Sequence, residues 1–279
     1  MEILQTKCEV RAALAKARAD GQTVGLVPTM GALHAGHLSL VEASVAQCDF
    51  TVVSVFVNPT QFGPSEDLEE YPRDIEGDAE KCQAAGADLI FAPSAKEMYP
   101  EGSCTTIHVA HLTEGLCGAF RPGHFDGVTT VCCKLFDIVQ PDRAYFGEKD
   151  YQQLIVVRRM VRDLDLPLEI IGVPTLREPD GLAMSTRNQY LTEQERRAAP
   201  GLYRALQEGA DAARAEARGK EVEKTVATAL AKEPLFQPQY ISAVDPETLE
   251  PLEDRGKPVV IAAAAFLGKT RLIDNVKIE

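Results

Sequence analysis

The 279-residue chain contains no tryptophan, and aromatic residues make up only 6% of it. Hydrophobic residues still account for 45%, so we expect a globular core built mainly from aliphatic side chains. The chain lacks any run of about 18 apolar residues, and its first residues lack the basic and apolar regions of a signal peptide. The sequence therefore predicts a cytoplasmic protein with one large domain or two modest ones.

Clusters of basic residues are also missing. Lysine and arginine total 29 against 42 acidic residues, which gives a formal net charge of −13. Such a surface repels phosphate backbones and anionic membranes unless a local basic patch overrides its field. We therefore expect neither a nucleic-acid partner nor a membrane partner.

Closely spaced metal ligands are scarce as well. The seven cysteines include no C-x-x-C pair, which is typical of free thiols in a reducing cytosol. His108 and His111 have the spacing of a ligand pair, but no third ligand accompanies them. Asp78 could reach a metal ion, but we expect it to be a carboxylate on the surface of a helix. No metal site made by protein ligands is predicted.

Apolar runs and helical stripes alternate along the first 175 residues. A strand at 23–27, a helix at 36–47 and a strand at 51–57 form the first βαβ unit. The alternation continues with helical patterns at 74–85, 128–138 and 151–164 and with strand patterns at 88–91, 144–146 and 168–173. This order predicts a doubly wound, parallel, Rossmann-like α/β sheet over residues 1–175.

The pattern changes after Pro174. A polar loop leads into alanine-rich helical segments at 193–217 and 221–230, followed by short strand patterns at 240–243 and 259–264. Residues 176–279 are therefore predicted to form a second, smaller α+β domain.

The strongest chemical signal is an H-x-G-H motif in the loop after the first strand, at His34, Gly36 and His37. In an open α/β sheet this loop lies at the binding crevice, and the helix that follows offers unpaired N–H groups to an anion. Two imidazoles can donate to phosphate oxygens as charge develops during displacement, while the glycine permits close approach. The motif predicts a nucleoside triphosphate site.

Two further segments carry groups suited to phosphate. Ser185, Thr186 and Arg187 combine hydroxyls with a planar guanidinium in one loop, which is typical of a phosphate clamp. Lys149 follows the strand pattern at 144–146, so it is expected on the crevice side of the sheet, where its charge would offset a triphosphate.

With these loops in place, the chain resembles the nucleotidylyl-transferase superfamily and, along nearly its whole length, the pantothenate synthetase family. The matching blocks are residues 27–37, 56–62, 71–73, 121–125, 140–153, 184–188 and 271–275. The resemblance implies ATP-dependent condensation of (R)-pantoate with β-alanine through a pantoyl adenylate, with Mg²⁺, release of AMP and pyrophosphate, and a homodimer. It also implies that the C-terminal domain carries the 184–187 loop and closes over ATP.

The resemblance also assigns roles to individual residues. The catalytic candidates are His34, His37, Lys149 and Arg187, with His37 as the proton donor. The implied ATP-binding set is Met30, Gly31, Ala32, Leu33, His34, Ala35, Gly36, His37, Gly147, Glu148, Lys149, Asp150, Leu176, Met184, Ser185, Thr186 and Arg187. The implied pantoate-binding set is Pro28, Met30, Asn58, Gln61 and Gln153, and Arg121 is a candidate in a loop that covers the site.

Other functions share both loops. A nucleotidyltransferase would leave AMP or CMP on its product and would not require an amine. An aminoacyl-tRNA synthetase is disfavoured by the acidic surface and by the small second domain. A nucleotide sensor without catalysis would bind ATP without turnover.

Overall fold

Six parallel strands form the larger sheet of the protein, in the order β1–β4–β3–β2–β5–β6. The structure is a computed structural model that describes residues 1–64, 66–252, 254 and 256–279. The elements up to residue 174 are β1 (Glu2–Leu4), α1 (Lys7–Ala19), β2 (Val24–Thr29), α2 (Ala35–Gln47), β3 (Phe50–Val55), α3 (Ile75–Ala84), β4 (Leu89–Phe91), α4 (Ala95–Met98), α5 (Leu116–Phe120), α6 (His124–Val139), β5 (Arg143–Gly147), α7 (Tyr151–Asp163) and β6 (Glu169–Val173).

Helices cover both faces of this sheet. On one face, side chains of β2 and β3 such as Leu26 and Val52 pack with α1, α6 and α7. On the other face, the alternate side chains Val27 and Val53 pack with α2 and α3. A sheet buried on both faces explains why its strands read as continuous apolar runs, and the predicted doubly wound α/β fold is confirmed.

The sheet has a topological switch point between β2 and β5. The chain runs from β2 outward through β3 to β4, then returns to place β5 on the opposite side of β2. Ligands of open α/β sheets bind beyond the carboxyl ends of the strands at such a point. The loop that begins at Met30 and the segment Gly147–Glu148 follow these two strands, so the fold brings them to that edge.

The second compact unit consists of Thr175–Glu279 and two short segments, Glu114–Cys117 and Lys149–Gln152. Its elements are α8 (Glu193–Ala198), α9 (Gly201–Arg214), α10 (Gly219–Leu230), β7 (Phe236–Val244), β8 (Val259–Leu267) and β9 (Thr270–Ile278). The strands form an antiparallel sheet in the order β7–β8–β9, and one face packs with the helices in a separate core. The predicted smaller α+β domain is thereby confirmed.

Several elements differ from the sequence-based expectation. The single helix expected at 193–217 is two helices, because Pro200 lacks the N–H that would continue α8 into α9. Helix α1 was not predicted, although Thr6 and Glu9 form a capping box at its start. Strand β9 was also missed. Among the helices of the described residues, none is long and apolar enough to cross a membrane.

Candidate active site

The loop after β2 has a backbone conformation that requires glycine at its start. Gly31 has a φ of +85°, and a Cβ there would lie 2.9 Å from Asp78 Oδ2 and 3.0 Å from Val55 Cγ1. The next residue, Ala32, also has a positive φ of 51°, which costs a non-glycine residue about 1–2 kcal/mol. Tertiary contacts must therefore hold this loop in place.

A buried carboxylate supplies those contacts. Asp78 of α3 has no exposed surface, and its two oxygens accept the N–H groups of Ala32 at 2.8 Å and Leu33 at 2.7 Å. Lys81, one turn further on, donates to the Leu33 carbonyl at 2.9 Å. The expectation that Asp78 is a helix-surface carboxylate is wrong. Its four-residue spacing from buried Cys82 is the signal that places it on the inner face of α3.

The two motif histidines are fixed in one tautomer. His34 caps α2, and its Nδ1 accepts the Gly36 N–H at 3.1 Å, while Nδ1 of His37 accepts the His34 N–H at 3.4 Å. The rings lie 4.1 Å apart between centroids. Because each Nδ1 is an acceptor, each neutral ring carries its proton on Nε2, so each ring acts as a hydrogen-bond donor through Nε2–H.

The N–H groups that we expected to be unpaired at the start of α2 have partners at Gly36, His37 and Leu38, as do those of the loop before the helix. The N–H groups of Ala32 and Leu33 donate to Asp78, that of Gly31 donates to Thr29 Oγ1, and those of His34 and Gly36 donate to imidazoles. These five N–H groups thus have partners within the protein, which leaves the imidazole rings as the side-chain donors of the loop.

A buried amide orients Gln61, which ends the 3-10 turn Pro59–Gln61 after β3. Asn58 is 1% exposed and donates its two Nδ2 hydrogens to Gln61 Oε1 at 3.0 Å and to the Gly127 carbonyl at 3.1 Å. Its Oδ1 accepts from Thr60 N and Oγ1 and from the Tyr99 hydroxyl. The carbonyl of Gly127 and the N–H of Thr60 allow only this orientation of the Asn58 amide, so Gln61 presents its Nε2 as a donor, 3.1 Å from Met30 Sδ.

Helix α6 approaches this turn unusually closely. A Cβ on Gly127 would lie 2.5 Å from the carbonyl oxygen of Thr60 and 2.7 Å from Gln61 Cα. His124, at the start of α6, bonds the Gln61 carbonyl through Nδ1 at 2.8 Å. The sequence identified neither residue as functional, although both lie within or beside the block at 121–125.

Arg121 lies behind the same turn. It makes a two-pronged ion pair with Glu66, with both N···O distances at 2.6 Å, and it contacts His124 Nε2 at 3.1 Å. Burial by itself would raise the pKa of Glu66, but the hydrogen bonds and charge of Arg121 hold it below its ordinary value. Arg121 therefore braces the Gln61 backbone. Its assignment to a covering loop remains a prediction.

The remaining candidates of the first unit lie on or next to the strands and helices just described. Pro28 is in β2 and Gly147 ends β5, next to Glu148, and both are half-buried. Gln153 is a half-buried residue in the first turn of α7, and Ala35 is exposed at the start of α2. His108, outside this set, bonds Asp126 at 2.8 Å.

In the second unit, a hairpin leads into the predicted phosphate clamp. The Met184 N–H bonds the Leu176 carbonyl at 3.0 Å, and Leu176 is 40% exposed, as an adenine contact requires. Ser185 accepts the Arg187 N–H at 3.3 Å, which leaves its hydroxyl proton to donate elsewhere. Thr186 starts the 3-10 turn that follows.

Lys149 also belongs to the second unit. Its side chain is 18% exposed, and its Nζ lies 3.8 Å from Asp150 Oδ2. The Lys149 carbonyl accepts a hydrogen bond from Asn275 Nδ2 at 3.0 Å. The catalytic lysine candidate is thus held through its main chain by the last strand, a link that the sequence did not reveal.

Comparison with known proteins identifies the family. The sequence profile of pantoate–beta-alanine ligase matches residues 2–277. The pantothenate synthetase of Moorella thermoacetica is 55% identical over 100% of this chain and 99% of its own length. The crystal structure of the Thermus thermophilus enzyme superposes with a TM-score of 0.95 at 52% identity, covering 99% of both chains. The Francisella tularensis ligase, complexed with beta-gamma ATP and beta-alanine, gives a TM-score of 0.82 at 33% identity over 99% of this chain and 97% of its own.

The profile match over almost all residues and the full-length relatives agree with the motifs and the fold. The chain belongs to the pantoate–beta-alanine ligase family.

Proposed function

We propose that the chain joins (R)-pantoate to β-alanine through a pantoyl adenylate. A pantoate carboxylate oxygen attacks the α-phosphorus of ATP, and the bond to the bridging oxygen breaks, which releases pyrophosphate. The neutral amine of β-alanine then attacks the acyl carbon, loses a proton and displaces AMP. The observation that carries this proposal is the pair of imidazole Nε2–H donors beyond the carboxyl end of β2, in a chain of this ligase family.

The nucleotide roles follow from the chemistry of the side chains. His34 and His37 donate to phosphate oxygens, and His37 is the proton donor to the leaving pyrophosphate. Lys149, Ser185 and Arg187 neutralise the phosphate charge, which grows on the oxygens of the displaced group. Gly147 and Asp150 hold the ribose, and Met184 with the Leu176 segment flanks adenine.

Pantoate is bound by neutral groups. Gln61 Nε2–H, fixed by Asn58, and Gln153 donate to its polar atoms, while Pro28 and Met30 pack against its dimethyl carbon. An amide orients a carboxylate without the desolvation of a buried ion pair, so the carboxylate stays nucleophilic. Asn58 thus acts on the substrate through Gln61.

Mg²⁺ enters with the nucleotide in this proposal. The described residues contain no group of three or more His, Cys, Asp or Glu able to hold a metal. Mg²⁺ commonly binds nucleotide phosphates and water with few protein ligands, so in this proposal the phosphates of ATP supply its main ligands. The ion would supply charge neutralisation at the phosphates.

The assembly and location are also proposals. Membership of the family supports a cytoplasmic homodimer that acts on small molecules and has no nucleic-acid or membrane partner. The net charge of −13 of this chain agrees with the lack of such partners. Sedimentation at micromolar concentration tests the dimer, and a monomer there would refute it.

The decisive assay is AMP release from ATP and Mg²⁺, with pantoate and β-alanine each present or omitted. We expect AMP only when both are present, and pyrophosphate exchange with pantoate alone. Lys149→Ala and His37→Ala should each slow pyrophosphate release about a hundredfold or more, whereas Lys220→Ala, on the exposed side of α10, should not. A stable nucleotidylated product without need for an amine would instead establish a nucleotidyltransferase.

A further inference from the structure

Two consecutive polar residues interrupt the last strand of the small sheet. Asp274 and Asn275 of β9 are 4% and 8% exposed, although residues at buried positions are usually apolar. Successive side chains of a strand point to opposite faces. Asp274 is therefore on the face of Leu272, which packs with the helices, and Asn275 is on the face of Arg271.

On the helix face, Asp274 holds the hairpin that leads to the phosphate clamp. Its oxygens accept from Arg177 Nη1 at 2.6 Å and Nη2 at 2.9 Å. Arg177 also donates to the Gly181 carbonyl at 3.1 Å and lies 3.6 Å from the ring centroid of Tyr203. A bidentate pair and a stacked guanidinium leave the base of the hairpin little freedom.

On the opposite face, Asn275 holds the segment that carries Lys149. Its Nδ2 donates to the Lys149 carbonyl at 3.0 Å, and nearby Arg271 contacts Cys117 Sγ at 3.5 Å. The two residues are linked to each other, because Asp274 Oδ1 accepts the Asn275 N–H at 2.8 Å. One strand thus contacts two separate segments that bear phosphate ligands.

We propose that Asp274 and Asn275 are positioning residues for the nucleotide, with Asn275 fixing the backbone of Lys149 and Asp274 fixing the hairpin before Met184 through Arg177. The inference rests on the proposed function, because it takes Lys149 and the clamp as nucleotide ligands. Displacement of a ligand by about 1 Å costs up to a hundredfold in rate, so a backbone anchor this close to Lys149 affects catalysis without touching substrate.

The test is a double-mutant cycle between Asn275→Ala and Lys149→Ala. We expect Asn275→Ala to lower kcat/KM for ATP about tenfold and to leave the KM for pantoate within about twofold. In the Lys149→Ala background the same change should cost less than about twofold, since the side chain that it positions is gone. Arg177→Lys keeps the charge but loses the bidentate geometry, and it should raise the KM for ATP in both backgrounds alike.

Leu272→Ala is the matched control. This residue is buried on the same strand, and its truncation should lower the melting temperature while kcat/KM per folded molecule stays unchanged. Equal losses from Asn275→Ala in both backgrounds, or a lower melting temperature with unchanged kcat/KM, would overturn the role of Asn275. An unchanged KM for ATP in Arg177→Lys would overturn that of Asp274.

The proposed function can be wrong while the positioning role of Asn275 is correct, and the two outcomes can be told apart. If the wild-type chain makes no AMP with pantoate and β-alanine, the same cycle is measured by calorimetry with a non-hydrolysable ATP analogue. Coupled losses of affinity at Asn275 and Lys149 would then sustain the positioning role, and additive losses would reject it.

Discussion

Two neighbouring strands of the large sheet, β2 and β3, are followed by the segments that we propose bind the substrates, and different kinds of group hold these two segments in place. The loop after β2 is fixed by the buried side-chain carboxylate of Asp78, which accepts two main-chain N–H groups. The turn after β3 is fixed by neutral groups, with the Asn58 amide at the centre. The carboxylate holds the segment that we propose binds the nucleotide, and the neutral network holds the segment that we propose binds pantoate. Loss of a charged hydrogen-bond acceptor lowers stability more than loss of a neutral one. The charged half of the site, the loop after β2, should therefore be more sensitive to mutation than the neutral half, the turn after β3.

The largest effect is expected at Asp78. Asp78→Ala removes the acceptor of the Ala32 and Leu33 N–H groups, and each such charge-assisted bond is worth about 1.5–3 kcal/mol. Ala32 is then free to leave its positive φ, which displaces His34. We expect about 3–5 kcal/mol less stability in urea unfolding and at least about a hundredfold slower pyrophosphate release.

Asp78→Asn retains one acceptor, so its stability and its rate of pyrophosphate release should lie between those of the wild-type chain and the alanine variant. Glu80 is exposed on the same helix, so Glu80→Ala is the control. Its free energy of unfolding should stay within about 0.5 kcal/mol of the wild-type value. If Asp78→Ala unfolds at the wild-type urea concentration and forms adenylate normally, the charged anchor has no such role.

Gly127→Ala is the second test, and it acts on the neutral half. The added Cβ would lie 2.5 Å from the Thr60 carbonyl oxygen, a main-chain atom that cannot rotate away. Helix α6 and the turn that carries Gln61 must therefore move apart, which should lower the free energy of unfolding by about 1–3 kcal/mol. We expect the KM for pantoate to rise about tenfold through the displaced Gln61, with the KM for ATP unchanged.

Gly63→Ala, whose Cβ would lie 3.7 Å from its nearest neighbour, controls for loss of backbone freedom. A rise in the KM for ATP equal to that for pantoate would show that the two segments do not respond separately.

The sequence indicated the candidate site residues, but it did not indicate the residues that hold them in place. The H-x-G-H spacing and the run of strands and helices identify the loop after β2, since both are local patterns. Asp78, Gly127 and Asn275 act through partners 45, 67 and 126 residues away, respectively, in the chain, and no local pattern specifies such pairs. Strand β9 escaped prediction for a related reason, because Asp274 and Asn275 interrupt its apolar alternation.

The smallest effect is expected at Tyr99, at the outer end of the neutral network. Burial raises the pKa of Tyr99, so its hydroxyl stays protonated and can donate to Asn58 Oδ1, 2.9 Å away. Tyr99→Phe removes this bond, but Thr60 still donates twice to the same oxygen, so the Asn58 amide keeps its orientation. We expect pantoate binding to weaken by about 0.5–1.5 kcal/mol through this lost hydrogen bond. The KM for pantoate should therefore rise a few fold, while the KM for ATP stays unchanged.

Tyr145→Phe is the matched control for Tyr99→Phe, because its hydroxyl bonds Gln47 at 3.3 Å on the other face of the sheet. It should leave the KM for pantoate unchanged. Combining Tyr99→Phe with Thr60→Val removes two of the three donors to Asn58 Oδ1 and should cost more than the two single changes together, since neither hydroxyl then compensates for the loss of the other at this buried oxygen. Strict additivity would mean that the two hydroxyls contribute independently and that the Gly127 carbonyl and the Thr60 N–H alone fix the amide, so the hydroxyls would play no part in orienting Gln61.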